Sequence, residues 1–175
     1  GRKTYEFLKS RGIDCPSVFG DPALLLPRFY TPQRMEKRYK LGIIPHVIDW
    51  DYGVMRKIRK ERNDILVIDL AHYDKWTDVI DQICSCEAIA SSSLHGLIVS
   101  DAYNVPNCWI TLSGKISGGL FKYFDYFSSV GREEAGPEKV ERMSDLQTIE
   151  NKMVSWKPIT IDTDPILQSC PFYKA

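Results

Sequence analysis

The amino-acid sequence predicts an α/β fold, in which a Rossmann-like parallel β-sheet is covered by helices on both faces. Short apolar segments rich in β-branched residues alternate with amphipathic segments, and this alternation is typical of strands buried between helices. Turn-forming residues such as Asn104 and Pro106 separate the segments. The chain has 175 residues, of which 43% are hydrophobic and 26% charged, a composition typical of one globular domain.

The N-terminal residues predict a short helix followed by a capped turn. The pattern of residues 4–11 favours a helix, and Gly12 is expected to end it. In the sequence DPALLLP at residues 21–27, Asp21 is expected to cap a turn that begins at Pro22 and ends at the second proline.

Four apolar runs are predicted to be strands, at residues 40–44, 65–68, 88–90 and 108–110. Helices are predicted between and after them, at residues 54–60, from an N-cap at Thr77, at residues 94–103, and at residues 138–153. The glycine and serine residues of 113–119 favour a loop.

The domain organisation is predicted to have three parts. Residues 1–27 are a lead-in that links to a missing N-terminal domain, residues 28–153 are the Rossmann-like half, and residues 154–175 are a packing tail. The chain starts at Gly1 without an initiator methionine and runs directly into a helical pattern. We therefore expect it to be part of a longer protein.

Charge and cysteine usage narrow the classes of partner. Lys plus Arg and Asp plus Glu balance at 23 each, so no nucleic-acid partner is expected. No apolar run reaches the roughly 20 residues of a transmembrane helix, and we expect a cytoplasmic protein without a transmembrane segment. The five cysteines match neither a disulfide framework nor a zinc site and are expected to be reduced packing residues: Cys15, Cys84, Cys86, Cys108 and Cys170.

Four turns follow the predicted strands, at residues 45–49, 69–74, 91–95 and 111–115. In an open α/β sheet, ligands bind beyond the carboxyl ends of the strands. We therefore expect the functional site to be built from these turns.

The third of these turns has the strongest chemical signal. Ser91, Ser92 and Ser93 lead into a helix that carries His95 in its first turn, and Gly96 leaves space beside it. Hydroxyls and free N–H groups at a helix start can bind a phosphate or a carboxylate, and imidazole suits proton transfer near neutral pH. Alternatively, the serines only cap the helix, and the pattern by itself does not separate these interpretations.

Two further groups of residues have two interpretations each. The first two turns contain carboxylates and imidazoles that could either bind a metal ion or contact a sugar and orient the loops: His46, Asp49, Asp51, His72 and Asp74. Residues 122–126, which begin with Lys122, are rich in aromatic side chains and either contact carbohydrate or form a helix packed on the sheet.

Several segments together resemble the polysaccharide pyruvyl transferase family, and in particular its bacterial exopolysaccharide ketal-pyruvate transferase branch. The resemblance covers most of the chain, and the segments that carry it are residues 20–27, residues 42–46 with Asp49, residues 92–103, residues 121–127 and residues 170–172.

This resemblance implies a two-domain GT-B type of architecture, in which two Rossmann-like halves face a cleft and this chain supplies the second half. It implies a transferase that moves the pyruvyl group of phosphoenolpyruvate onto two hydroxyls of a sugar in exopolysaccharide biosynthesis, with release of phosphate. The donor is then a substrate, no cofactor is needed, and the acceptor is a glycan or a lipid-linked oligosaccharide. The chain alone is expected to bind substrate without turnover.

The resemblance also implies roles for individual residues. His95 is expected to protonate the methylene carbon of phosphoenolpyruvate. Where the family pattern has an arginine before the Leu–His pair, this sequence has Ser93, so the anion contact is expected from Arg2, Lys122 or the missing half. The other expected binding residues are Ser91, Ser92, Leu94, Gly96, His46 and Asp49.

Two alternative functions remain open at this point. A GT-B glycosyltransferase that uses a nucleotide sugar would need the same sheet and the same anion site at a helix start. A non-catalytic glycan-binding or anion-binding domain would need only one wall of the cleft.

Overall fold

A five-stranded parallel sheet, in the order β2-β1-β3-β4-β5, forms the centre of the molecule. It is seen in a computed structural model that describes residues 1–32, 36–116 and 118–173. The strands are β1 (Tyr39–Ile44), β2 (Ile65–Val67), β3 (Cys86–Ser91), β4 (Asn107–Thr111) and β5 (Glu138–Lys139). All neighbouring strands run parallel, which confirms the Rossmann-like α/β fold class.

Helices cover both faces of this sheet. They are α1 (Arg2–Ser10), α2 (Gly53–Glu61), α3 (Trp76–Cys84), α4 (Leu94–Ala102), α5 (Phe121–Ser129), α6 (Leu146–Met153) and α7 (Asp164–Gln168). Short 3₁₀ helices span Pro22–Arg28, Val47–Asp49 and Met143–Asp145. No helix in the described ranges has the length and apolarity needed to cross a bilayer.

Alternation along the strands assigns each helix to a face, because successive strand side chains point to opposite sides of a sheet. Ile43 packs in a core with α2 and α6, whereas the next residue, Ile44, packs in a core with α3. Trp109 of β4 packs with α4 and α5 on that second face.

Two predicted boundaries are wrong. Helix α3 begins before Thr77, with Lys75 as its N-cap, because the Asp78 carboxylate accepts the Lys75 N–H at 3.0 Å. The helix predicted at 138–153 is helical as α6 only from Leu146, because β5 at its start pairs with β4. That strand is polar and two residues long, so no apolar run marks it in the sequence.

The N-terminal segments pack on the helices of the same sheet. The Thr4 N–H donates to Asp125 of α5 at 3.0 Å, and the 3₁₀ helix Pro22–Arg28 packs on α4. Asp21 accepts the Ala23 N–H at 2.8 Å, which confirms the predicted cap. The division of the chain near residues 27 and 153 stays a prediction.

At the C-terminal end, Ile166 of α7 is buried in the core beside the 3₁₀ helix Pro22–Arg28. Phe172 is 89% exposed, so it does not pack as the predicted tail requires. Ser117 of the predicted loop and the last two residues of the tail lie outside the described residues.

All five cysteines are free thiols, and three of them are buried. Burial raises the pKa of Cys84, Cys86 and Cys108 to about 11. At neutral pH these thiols are therefore protonated and unreactive, as expected of packing residues.

Candidate functional site

A cleft of about 830 Å³ opens beyond the carboxyl ends of β1, β2 and β3. Its walls come from three of the four turns predicted to form the site. The chain contains three histidines, and His46, His72 and His95 all line this cleft. Since each comes from a different turn, the fold brings together imidazoles that are far apart in the sequence.

His95 lies in the first turn of α4, and it is exposed. The next residue, Gly96, is buried. A Cβ at this position would collide with Ser91 Oγ and lie 3.0 Å from Ile44 Cγ2. The glycine therefore lets α4 start close against β1 and β3. His95 therefore lines the cleft from the first turn of α4, where the N–H groups have no intrahelical acceptors.

The serines before α4 have different environments. Ser91 and Ser92 are fully buried, and their hydroxyls bond backbone groups. Ser91 Oγ accepts the Ser93 N–H at 3.0 Å, and Ser92 Oγ accepts the His46 N–H at 2.8 Å. Of the three serines, only Ser93 lines the cleft. The predicted anion site therefore has one serine hydroxyl, and the hydroxyls of Ser91 and Ser92 instead connect the turn after β3 to the end of β1 and the turn that follows it.

His46 serves as the N-cap of the 3₁₀ helix Val47–Asp49. Its Nδ1 accepts the Ile48 N–H at 3.4 Å, and its own N–H is fixed by Ser92. A neutral imidazole that accepts at Nδ1 carries its proton on Nε2. His46 therefore offers the cleft a donor.

Asp49 does not reach the cleft surface, in contrast to its predicted role in binding substrate. It is 0% exposed, and its Oδ1 accepts a short hydrogen bond from the Ser113 hydroxyl. Its Oδ2 is buried and has no partner among the described residues. Asp49 thus joins the turn after β1 to the turn after β4, and its role in the structure is to support the site.

Asp69 and His72 form a pair in the turn after β2. Asp69 Oδ1 accepts N–H groups from Ala71 at 2.7 Å and from His72 at 3.3 Å, and its Oδ2 lies 3.0 Å from His72 Nδ1. Burial raises the pKa of Asp69, but these hydrogen bonds outweigh burial and lower it overall. The sequence indicated His72 either as a metal ligand or as a residue that contacts a sugar and orients the loop, and it did not predict the pair with Asp69.

The metal-binding interpretation has no geometric support in the described ranges, where no group of three or more His, Cys, Asp or Glu converges on a point. The His46 Nδ1 caps a helix and Asp49 is turned toward Ser113. Two of the atoms that a metal ion would have used, His46 Nδ1 and Asp49 Oδ1, are therefore engaged in contacts within the protein.

The aromatic residues of α5 pack on the sheet, which decides between the two interpretations of residues 122–126. Tyr123 is buried, stacks on Trp109 with ring centroids 4.6 Å apart, and donates its hydroxyl to the Ser92 carbonyl at 2.7 Å. Tyr126 is also buried. Neither ring is available to a sugar.

Other aromatic residues, which no sequence pattern indicated, line the cleft instead. They are Trp50, Tyr73 and Trp76. Tyr73 is 51% exposed and Trp76 is 48% exposed. They are scattered over two turns and a helix start, so no local pattern marks them as a group.

Arg2 and Lys122 are not among the residues that line the cleft. The Arg2 Nε donates to the Ser128 carbonyl at 3.2 Å, and its guanidinium lies 4.7 Å from the centre of the Phe19 ring. This places it at the far end of α5 from the site. The Lys122 Nζ lies 5.4 Å from the centre of the Tyr123 ring. In the part of the chain that the structure describes, the cleft lining contains no Arg or Lys.

Comparisons with known proteins add a family and two relatives. A model of the family described as "Polysaccharide pyruvyl transferase" matches residues 1–114, a range that includes the whole cleft lining. The succinoglycan biosynthesis protein ExoV of Rhizobium meliloti (strain 1021) is 28% identical over 111 residues, which are 63% of this chain and 34% of that protein. The uncharacterized protein L143 of Acanthamoeba polyphaga mimivirus is 33% identical over 136 residues, 76% of this chain and 47% of that protein.

The chain thus spans about half the length of the mimivirus protein and about a third of the length of ExoV. No solved structure matches it.

Proposed function

The chain belongs to the polysaccharide pyruvyl transferase family, and on this premise we propose that it forms one catalytic wall of an enzyme that makes pyruvate ketals. The donor is phosphoenolpyruvate, the acceptor is a sugar of an exopolysaccharide, and phosphate is released. The observation that carries the proposal is the position of His95, exposed at the start of α4 in a cleft that two further imidazoles line.

In this reaction His95 is the general acid. It gives a proton to the methylene carbon of phosphoenolpyruvate, which becomes a methyl group and leaves an oxocarbenium-like centre at the neighbouring carbon. Two sugar hydroxyls add to that centre, and the bond to the phosphate oxygen breaks. Of the two hydroxyl protons, one replaces the proton given to carbon and the other leaves on phosphate, so the reaction needs no redox partner.

The donor's negative charge has identifiable partners in the cleft. The first-turn N–H groups of α4 and the helix dipole favour an anion, and Ser93 adds a hydroxyl. The Nε2–H of His46 is a further donor on the same side. Because the described lining contains no Arg or Lys, we infer that the remaining positive charge comes from a facing domain, as in a GT-B arrangement.

The acceptor is matched by the aromatic side of the cleft. Sugar rings have apolar C–H faces, and aromatic rings supply apolar area with little conformational freedom to lose. Trp50, Tyr73 and Trp76 lie in the lining and would bind a glycan or the sugar of a lipid-linked oligosaccharide. The free cysteines fit a reducing compartment, and we place the reaction in the cytoplasm.

The test has a binding arm and a turnover arm. Phosphoenolpyruvate is titrated into this chain by calorimetry, and phosphate release is measured for the full-length protein with phosphoenolpyruvate and candidate glycans. Loss of one general acid lowers a rate by roughly 10²–10⁴-fold. We expect that loss in His95→Ala and in His95→Gln, with Lys60→Ala on the exposed side of α2 as the control.

Phosphate release that persists at the wild-type rate in His95→Ala would overturn the proposal. Release of a nucleoside diphosphate from a nucleotide sugar would favour the glycosyltransferase alternative. Glycan binding without turnover of either donor by the full-length protein would favour a binding domain.

A further inference from the structure

The hydrogen bonds of two cleft histidines favour opposite tautomers. His46 accepts an N–H at Nδ1, so its proton is on Nε2. The His72 Nδ1 faces a carboxylate oxygen of Asp69 at 3.0 Å, and a carboxylate can only accept, so the His72 proton is on Nδ1. The Nε2 of His72 therefore carries a free lone pair, and of these two imidazoles only His72 can take a proton through Nε2.

Asp69 is itself fixed in place, which lets it orient the imidazole. Its carboxylate accepts the Ala71 N–H at 2.7 Å and the His72 N–H at 3.3 Å, and its side chain is only 25% exposed. A carboxylate held by backbone groups and bonded to Nδ1–H is the arrangement that keeps a histidine in the base-competent tautomer.

His72 also lies on the side of the cleft where a sugar would bind. Tyr73 follows it directly and Trp76 begins α3, and both rings are about half exposed in the cleft lining. The His72 side chain is 85% exposed, so its Nε2 is open to a ligand. A sugar packed on these rings would present its hydroxyls beside the imidazole.

We propose that His72 is the general base that accepts the proton of the attacking sugar hydroxyl, and that Asp69 is the positioning residue that fixes its tautomer. This inference rests on the proposed function. It assigns the acid and the base to two different turns, with His95 acting on the donor and His72 on the acceptor.

The proton transfers balance in this scheme. As the sugar oxygen bonds to the central carbon of the donor, its proton moves to His72 Nε2 and the methylene carbon takes a proton from His95. The phosphate oxygen then leaves with its bonding electron pair and takes the proton from His72. The second hydroxyl closes the ketal and returns a proton to His95, so both imidazoles end as they began.

The first test measures the tautomer directly on this chain. Nitrogen-15 NMR of the imidazole rings reports which nitrogen carries the proton, and we expect Nδ1–H at His72. In Asp69→Asn the amide can turn its NH₂ toward Nδ1, and we expect the His72 proton to move to Nε2. Asp145→Asn is the matched control, because Asp145 also accepts two backbone N–H groups, at 2.9 Å each, away from the cleft. An Nε2–H tautomer in the wild-type chain would overturn the proposal.

The second test uses turnover by the full-length protein. Removing a general base lowers kcat by roughly 10²-fold or more, and we expect this for His72→Ala with the Kd for phosphoenolpyruvate unchanged. Because the His72 side chain is 85% exposed, added imidazole should reach the vacated position and restore part of the rate of His72→Ala. The rate of the Asp145→Asn control should equal that of the wild type with or without imidazole. We expect Asp69→Asn to lose kcat as well, without a change in donor affinity.

The outcomes distinguish a failure of the role of His72 from a failure of the proposed function. A wild-type protein that never releases phosphate overturns both. A wild-type protein that depends on His95, together with a His72→Ala variant at the full rate, overturns only the role of His72. Loss of donor affinity in His72→Ala would also contradict that role, because the base is assigned to the acceptor side.

Discussion

At the amino ends of the strands, Asp101 is 1% exposed and bonded on all sides, whereas at the carboxyl ends the histidines face an open cleft. Asp101 accepts from Asn107 Nδ2 at 2.6 Å and from the Tyr126 hydroxyl at 2.8 Å, and Arg132 lies 3.2 Å away. Both clusters are polar and both lie on α4 or beside it. Only the histidine cluster has side-chain atoms that are accessible from the cleft.

The difference shows how to separate supporting residues from acting ones. Burial raises the pKa of Asp101 even beside Arg132, so the network depends on complete pairing to be tolerated. His95 and His72 have exposed rings, and their fold-related contacts leave a ring nitrogen available. Asp101 therefore maintains the fold, and the exposed histidines are the residues to which we assign the chemistry.

The largest effect on stability is expected from Asp101→Ala. It removes the carboxylate that accepts from Asn107 and Tyr126 and pairs with Arg132. Arg132, with only 11% of its side chain exposed, keeps Glu134 as its remaining carboxylate, and losing one partner of a buried pair costs about 3–5 kcal/mol. Urea unfolding measures the free energy of unfolding. Asp164→Ala is the control, because the Arg28–Asp164 pair at 2.6 Å is on the surface and such pairs contribute about 1 kcal/mol or less. Equal losses of unfolding free energy in Asp101→Ala and Asp164→Ala would contradict the structural role assigned to Asp101.

Gly96→Ala is expected to have the next largest effect. The new Cβ would collide with Ser91 Oγ, and overpacking of this kind costs about 1–3 kcal/mol. It should also lower phosphate release, since the start of α4 must shift. Gly53→Ala in the first turn of α2 has no atom within 4 Å of the new Cβ, and we expect its stability to be unchanged or slightly higher. A neutral Gly96→Ala in the same urea measurement would contradict the close packing of α4.

His95→Ala should leave the free energy of unfolding almost unchanged, in contrast to Asp101→Ala. An exposed side chain away from caps and networks usually contributes within about 0.5 kcal/mol. We expect the same urea midpoint as wild type together with the loss of phosphate release. A destabilisation as large as that of Asp101→Ala would show that His95 is a structural residue.

The smallest effect concerns a surface pair and its pH dependence. The hydrogen bond from Arg62 lowers the pKa of Asp64 from 3.8 to about 2. The pair therefore stabilises the fold above the unfolded pKa, and this contribution is lost as pH falls from about 4 to about 2. Asp64→Asn should flatten the unfolding free energy in that window by well under 1 kcal/mol, because the pair is exposed. An unchanged pH slope in Asp64→Asn would show that this pair does not contribute.

The sequence predicted that four turns would form the site, and three of them do, because the convergence of turns follows from a parallel sheet, which leaves a strong local pattern. It did not predict which serine faces the cleft, since the direction of the Ser92 hydroxyl depends on where the His46 N–H lies in three dimensions. The position of Arg2 was missed for a similar reason, because its partner Ser128 is 126 positions away. The strand at Glu138 is an edge pairing that its own residues do not encode.

The side of the cleft that we assign to the acceptor lies at an edge of the sheet. Strand β2 has three residues and pairs only with β1 in the described sheet, and the segment with His72, Tyr73 and Trp76 follows it. His46 and His95 instead follow the inner strands β1 and β3 and are tied together through Ser91 and Ser92. Under the proposed function, substitutions or insertions in the segment after β2 would leave the donor side undisturbed. Such a layout would let a lineage acquire new acceptor sugars by divergence of one loop while the chemistry on the donor is inherited intact.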